Sequence, residues 1–261
     1  MEAPKSMTFY DIASGPPVHP FAPNPWKARY ALNYTKAPYR TTWVPLLDVA
    51  ETRKKLGVPA SRKHPDGTDF LTLPILYDPS ISSPEQEGIF LGDTYDIAVH
   101  LHSHHSSPDK GRPPFFPPHT FALHRTFNAH VDTLFSLNGA QLALYYMPFD
   151  PATAEASKAE FVRRAGVVRW EDLEIPLGSE ERREKLAAFE AALGSGLAGW
   201  FVKRVEGPFL EGKVPMYADM IIGGWLQMMR NCLPEWEELR GWHGGLWGRL
   251  FDGLEEWAEV S

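Results

Sequence analysis

Three places in the chain bring together residue types that could do chemistry. Asn24 stands directly before Pro25 and the run Trp26, Tyr30, Ala31 and Tyr34, so its amide sits where a helix begins. Asp93 and Thr94 stand in the same relation to Ile97 and Leu101. A helix N-terminus carries unpaired N–H groups and the positive end of the dipole, which attract a carboxylate or a thiolate, and an Asp there can also meet an amine. Taken alone, each position reads equally well as a cap. The third place is the histidine cluster His100, His102, His104 and His105. His100 and His104 could share a helix face, but no cysteine lies nearby and the flank is rich in Ser and Pro, so the cluster reads as solvated imidazoles and no metal is expected. The single cysteine, Cys232, lies between Trp225 and Trp236 in an apolar stretch, where it reads as a small buried hydrophobe and a poor nucleophile.

Composition limits the partners. The formal charge is -7, and no basic block is denser than Arg53-Lys54-Lys55 or Glu181-Arg182-Arg183, which excludes a nucleic-acid partner. No uninterrupted apolar run of about 18 residues appears, so no membrane span is expected, and the start lacks the pattern of a secretory signal. A cytoplasmic location is the expectation. With 43% hydrophobic residues the chain can fill packed cores.

The elements that must position these residues follow from periodicity and breakers. A strand over Thr8–Ala13 ends at Ser14-Gly15-Pro16-Pro17, and a loop leads to the first helix, running to about Thr35. A strand over Tyr39–Val44 precedes a helix over Val49–Leu56, capped by Asp48 and stopped by Gly57 and Pro59. After the polar insertion Ser61–Asp69, strands over Thr72–Tyr77 and Ile89–Leu91 flank the turn-rich Asp78–Glu87, and Asp93 opens the next helix. The order βαβαββα fits one small mixed sheet of the thioredoxin-like kind. The Pro-, Ser- and His-rich stretch from Ser103 to Thr120 reads as a linker anchored by Phe115 and Phe116. Beyond it the pattern is helical: Phe121–Leu137, Ala152–Trp170, Glu180–Val205, Tyr217–Arg230 and a Trp-rich end. The fold class is thus α/β + α, with a thioredoxin-like domain over 1–104, a linker over 105–118 and an all-helical domain over 119–261.

The segment Phe21-Ala22-Pro23-Asn24-Pro25-Trp26-Lys27-Ala28-Arg29 resembles the opening motif of fungal etherase-related glutathione transferases, and of the transferase-like proteins found with fungal secondary-metabolite pathways. Thr72-Leu73-Pro74-Ile75-Leu76 resembles the cis-proline strand of that superfamily, and Gly92-Asp93-Thr94-Tyr95 its acidic-hydroxyl helix start. Tyr217-Ala218-Asp219 resembles its helix-capping segment, with Met216 where a Ser or Thr is usual.

The resemblance implies glutathione as co-substrate. The N–H and C=O of Leu73, before a cis Pro74, would pair with the cysteinyl backbone as in strand augmentation. Thr94 and the start of its helix would hold the γ-glutamyl carboxylate, and Asp93 its amine. Lys55 or Lys63 would reach the glycine carboxylate. The superfamily carries its catalytic Ser or Cys in related classes where this chain has Ala22, so thiolate stabilisation falls to Asn24, helped by main-chain N–H groups, Lys27 and a hydroxyl from Ser14. Asn24 competes with its own role as a cap, and Trp26 either lines the cofactor pocket or staples the helix to the sheet. Phe21, Phe121, Arg125 and Tyr145 are expected to line a pocket for a small hydrophobic or aromatic electrophile. The resemblance also implies a homodimer. The reading is a glutathione transferase acting on aromatic or ether-type electrophiles, with a non-catalytic glutathione and aromatic-ligand binder as the alternative. A thioredoxin-type redox protein is excluded, since the first domain has no cysteine.

Overall fold

The computed structural model describes residues 5–64, 67–81, 87–107, 114–201 and 206–261. Strand β1 (Met7–Ile12) is central in a four-stranded sheet, with β2 (Tyr39–Val44) parallel on one side, Met7 facing Tyr39. On the other side β5 (Ile75–Asp78) is antiparallel, Thr8 facing Tyr77, and β6 (Ile89–Leu91) closes the edge. The parallel β1–β2 pair requires a crossover, which helix α1 (Pro23–Tyr34) supplies. Helix α2 (Val49–Lys55) follows β2, and α3 (Thr94–His105) follows β6, completing the expected thioredoxin-like order.

Several expected boundaries move for identifiable reasons. β5 begins at Ile75 and not at Thr72, because Pro74 has no N–H to give the ladder. Asp48 does not cap α2 with its side chain and belongs instead to a 3-10 turn over Leu46–Asp48. The polar insertion is not all loop: β3 (Arg62–Lys63) and β4 (Asp69–Phe70) pair as a small hairpin. Parts of the insertion, of the β5–β6 turn and of the linker lie outside the described residues.

The second half is helical: α4 (Phe121–Asn138), the short α5 (Ala140–Ala143), α6 (Ala154–Ala165), α7 (Glu180–Gly196), α8 (Tyr217–Cys232) and α9 (Trp236–Gly253). The helix expected over Ala152–Trp170 stops at Gly166, whose φ of 69° is a left-handed cap. The one expected over Glu180–Val205 ends at Gly196. α9 is interrupted at Trp242–Gly245. Phe115 and Phe116 are buried at 1% and 2% exposure, as the anchoring role requires.

α8 is buried almost all round and lies against α1. The two helices touch at Gly224, where a Cβ would stand 2.6 Å from the Pro23 carbonyl and 2.7 Å from Lys27 Cγ. This close crossing fixes the start of α1 against the helical half.

Candidate functional site

Ala22 is the N-cap of α1 in an extended conformation, and Pro23 takes the first helical position. Asn24 therefore lies inside the first turn and does not cap the helix, a correction of two register positions, because Pro23 and not Pro25 opens it. Two of the first three helical residues are prolines without N–H groups, and the N–H of Trp26 is turned back to the Ala22 carbonyl at 3.3 Å. The helix end thus presents the Asn24 main-chain N–H and the Asn24 side-chain amide. Asn24 Oδ1 accepts from Lys27 Nζ at 3.0 Å, which leaves Nδ2 as a donor with no acceptor among the described residues.

Lys27 is fully buried, and its ammonium donates to Asn24 Oδ1, to Asn128 Oδ1 at 3.0 Å and to Asp132. Asp132 Oδ1 also accepts from Trp225 Nε1 at 2.7 Å. This network ties α1 to α4 and α8, and it occupies all three ammonium protons. Lys27 is thus an internal support for Asn24 and not an exposed ligand. Burial lowers its pKa, opposed by the Asp132 carboxylate. Trp26 is 4% exposed and donates its indole N–H to the Pro20 carbonyl at 3.1 Å, which ties the start of α1 to the loop before it.

The Leu73–Pro74 bond is cis. Nothing among the described residues accepts from the Leu73 N–H, and its carbonyl receives only a 3.4 Å contact from Thr72 Oγ1. Asp93 caps α3, its Oδ1 accepting from Tyr95 N at 2.9 Å and Asp96 N at 3.3 Å, and Thr94 gives its carbonyl to Tyr217 Oη at 3.1 Å. Both cap and ligand roles remain open to Asp93, since Oδ2 is free of these bonds.

Beneath these segments lies Arg53, 1% exposed. Its guanidinium donates to the carbonyls of Pro59 at 2.9 and 2.5 Å, Thr72 at 2.5 Å and Gly92 at 2.8 Å. It therefore clamps the main chain just before Leu73 and just before Asp93, and no carboxylate pairs with it among the described residues. Lys55 and Lys63 instead make surface pairs with Glu51 at 2.7 Å and Asp69 at 3.7 Å.

The four expected electrophile-pocket residues do not converge. Phe21 is buried in the core. Phe121 and Arg125 sit beside the start of α3, the Phe121 carbonyl accepting from Tyr95 Oη at 2.6 Å and Arg125 lying 5.3 Å from the Tyr95 ring. Tyr145 stacks on Trp170 at 5.6 Å, in a cluster with Phe149 and Phe161. Phe161 in turn walls a cleft of about 520 Å³ between α6 and the first domain, where Ile12, Leu46, Phe70 and Thr72 face Ser157. Ser14 is not available as a donor to the site: its hydroxyl binds His19 N at 2.8 Å and the Gly15 carbonyl at 2.8 Å, closing the proline loop.

Sequence reasoning missed Arg53, Asn128 and Asp132. Arg53 follows the buried Val49 by four residues, the one local sign that it faces inward. Cys232 is buried and its thiol pKa is pushed up to about 12, which fits the hydrophobe reading. The histidines are not simply solvated: His100 and His105 each place Nε2 2.8 Å from Asp78 Oδ2. No described helix is long and apolar enough to cross a membrane.

Residues 122–257 match the family model described as the glutathione S-transferase C-terminal domain. A glutathione S-transferase-like protein, ustS, of Aspergillus flavus is 28% identical over 96% of this chain and 90% of its own length. Among solved structures, a glutathione S-transferase of Ceriporiopsis subvermispora in complex with glutathione is 29% identical with a TM-score of 0.84, over 98% of this chain and 99% of that one. Glutathione transferase GSTFuA2 of Phanerochaete chrysosporium is 28% identical with a TM-score of 0.77, over 98% and 100%.

Proposed function

The chain belongs to the glutathione S-transferase family, and from that membership we propose that it binds reduced glutathione across Leu73, Pro74, Asp93 and Thr94 and transfers it to an aromatic or ether-type electrophile. The observation that carries this reading is the unpaired main chain of Leu73 beside a helix N-terminus whose Asp93 keeps one carboxylate oxygen free. An extended γ-glutamyl peptide would pair with Leu73 through its cysteinyl backbone and set its charged end on α3. That register would set its sulfur near Ala22 and Asn24 at the start of α1. The Asn24 N–H and Nδ2 would stabilise the thiolate, and Ala22 would leave room beside it. The electrophile would enter from the cleft walled by Phe161 and Phe70, with attack by the thiolate displacing the leaving group. We extend the family reading to a homodimer, which sedimentation would test.

A non-catalytic binder is the second reading, favoured by Ala22, which has no hydroxyl or thiol. Calorimetry with reduced glutathione, followed by turnover of a chlorinated nitroaromatic and of a β-aryl ether, separates the two. Binding with turnover supports the transferase, and binding without turnover supports the second reading. Absence of glutathione binding overturns both.

A further inference from the structure

We propose that Asp78, His100 and His105 form a site for a borderline divalent cation of the zinc type, at the end of β5 and α3 remote from Leu73 and Thr94. The ligand atoms of these three side chains lie within 4.8 Å of one another. His100 Nε2 and His105 Nε2 each stand 2.8 Å from the same oxygen, Asp78 Oδ2. The other oxygen, Oδ1, is held by Ser80 N at 2.8 Å and Ser80 Oγ at 2.6 Å, so the carboxylate is turned to present a single oxygen to the two imidazoles. Such bonds from Ser80 would hold the ligating carboxylate in place around a metal ion.

The donor set is two imidazole nitrogens and one carboxylate oxygen, which suits zinc and its neighbours better than calcium or magnesium. Around a tetrahedral ion with bonds near 2.1 Å, ligand atoms are spaced about 3.4 Å apart. The two 2.8 Å contacts must therefore open by about 0.6 Å, a shift that small side-chain rotations supply. The two imidazole nitrogens lie within 4.8 Å of each other. The fourth position is left to water or to His104, whose ring centroid is 4.7 Å from that of His100.

Burial fits a site that is shielded but reachable: the Asp78 side chain is 0% exposed, His100 6% and His105 14%. Placing two imidazoles on one buried carboxylate oxygen also demands that both carry the proton on Nε2; a cation replaces both protons and answers the carboxylate charge directly. The site joins the C-terminal half of α3 to the last residue of the inner strand β5, so occupancy would brace that helix against the sheet and not the catalytic crevice.

The test uses the full chain, freed of metal with a chelator and titrated with zinc by calorimetry and with cobalt(II) by visible absorption. One equivalent should bind, with the intense visible bands of four-coordinate cobalt, and zinc should raise the melting temperature. His105→Ala lies at the helix end, is the least buried ligand, and should weaken zinc binding by about a hundredfold. Asp78→Asn, which keeps the shape and the Ser80 bonds, should weaken it similarly, with folding of both variants checked by circular dichroism. His104→Ala, taken with them, should weaken zinc less than His105→Ala. Failure of the wild type to bind zinc at micromolar concentration overturns the proposal. Binding that survives unchanged in folded His105→Ala and Asp78→Asn overturns it equally.

Discussion

Removing one member of the Lys27–Asp132 pair should cost stability in a way that distinguishes the two partners. The Lys27 side chain is 0% exposed and the Asp132 side chain 32%. Breaking a buried pair from one side costs about 3–5 kcal/mol, because a charge is left without its counter-ion. In Lys27→Met the stranded charge is Asp132, which keeps Trp225 Nε1 at 2.7 Å and some water, so the loss should fall near 3 kcal/mol or below. In Asp132→Asn the stranded charge is the enclosed ammonium, and the loss should lie toward about 5 kcal/mol. The double variant Lys27→Met/Asp132→Leu strands neither charge and should be at least about 2 kcal/mol more stable than the summed single losses predict. Acidity gives a second readout. Burial holds the pKa of Lys27 below its ordinary 10.5, and removing Asp132 lowers it further. Between the folded pKa and 10.5 unfolding takes up a proton, so stability rises with pH there. The deficit of Asp132→Asn against wild type should therefore shrink as pH rises from neutral to just below 10.5. Urea unfolding at both ends of that range measures each quantity. Additive single losses together with a deficit indifferent to pH would refute the reasoning.

Asn24→Ala should lower turnover by about ten- to a thousandfold while leaving glutathione affinity nearly intact, and an unchanged rate would remove Asn24 from the site. Arg53→Lys keeps the charge but loses the fork that reaches three carbonyls, so KM for glutathione should rise about tenfold with kcat little altered, as steady-state kinetics would report. Gly92→Ala places a Cβ 2.4 Å from Arg53 Nη2 and 2.3 Å from Val58 Cγ1, and should cost about 1–3 kcal/mol in chemical denaturation along with a similar rise in KM. Burial raises Asp219 from 3.8 to about 6, so the folded chain keeps a proton that the unfolded chain releases and stability falls as pH climbs between those values. Asp219→Asn should flatten that slope in thermal melts, and persistence of the slope would assign it to another group.

What was legible in the sequence is what neighbouring residues decide. Strands β2 and β6 and the starts of α4, α7 and α8 stand where periodicity and breakers put them, because each depends on a few adjacent side chains. The Asp93 cap was legible for the same reason, because Asp favours that backbone role, whereas the cis Leu73–Pro74 bond was legible only through the resemblance of residues 72–76 to the cis-proline strand. Asp132 stands 105 positions from Lys27 and Asp78 stands 22 from His100, and no local pattern announces either partnership. Arg53 was hidden differently. Its neighbours Lys54 and Lys55 make the run look like a solvated basic face, although only Arg53 of the three turns inward.

The same division bears on Ala22. Lowering a thiol pKa from about 8.5 to about 6.5 requires roughly 2.7 kcal/mol. A helix N-terminus contributes about 0.3–1 kcal/mol, and here Pro23 and Pro25 withhold two of the N–H groups that would deliver it. One hydrogen bond to a charged acceptor adds about 1.5–3 kcal/mol, so the Asn24 amide can close the gap only if Nδ2, and not Oδ1, faces the sulfur. Lys27 settles that choice by holding Oδ1 at 3.0 Å, and Asp132 and Asn128 hold Lys27. Thiol activation in this chain would then depend on a charge pair between its two halves. Lys27→Met should lower turnover nearly as far as Asn24→Ala, although the Lys27 side chain is fully buried.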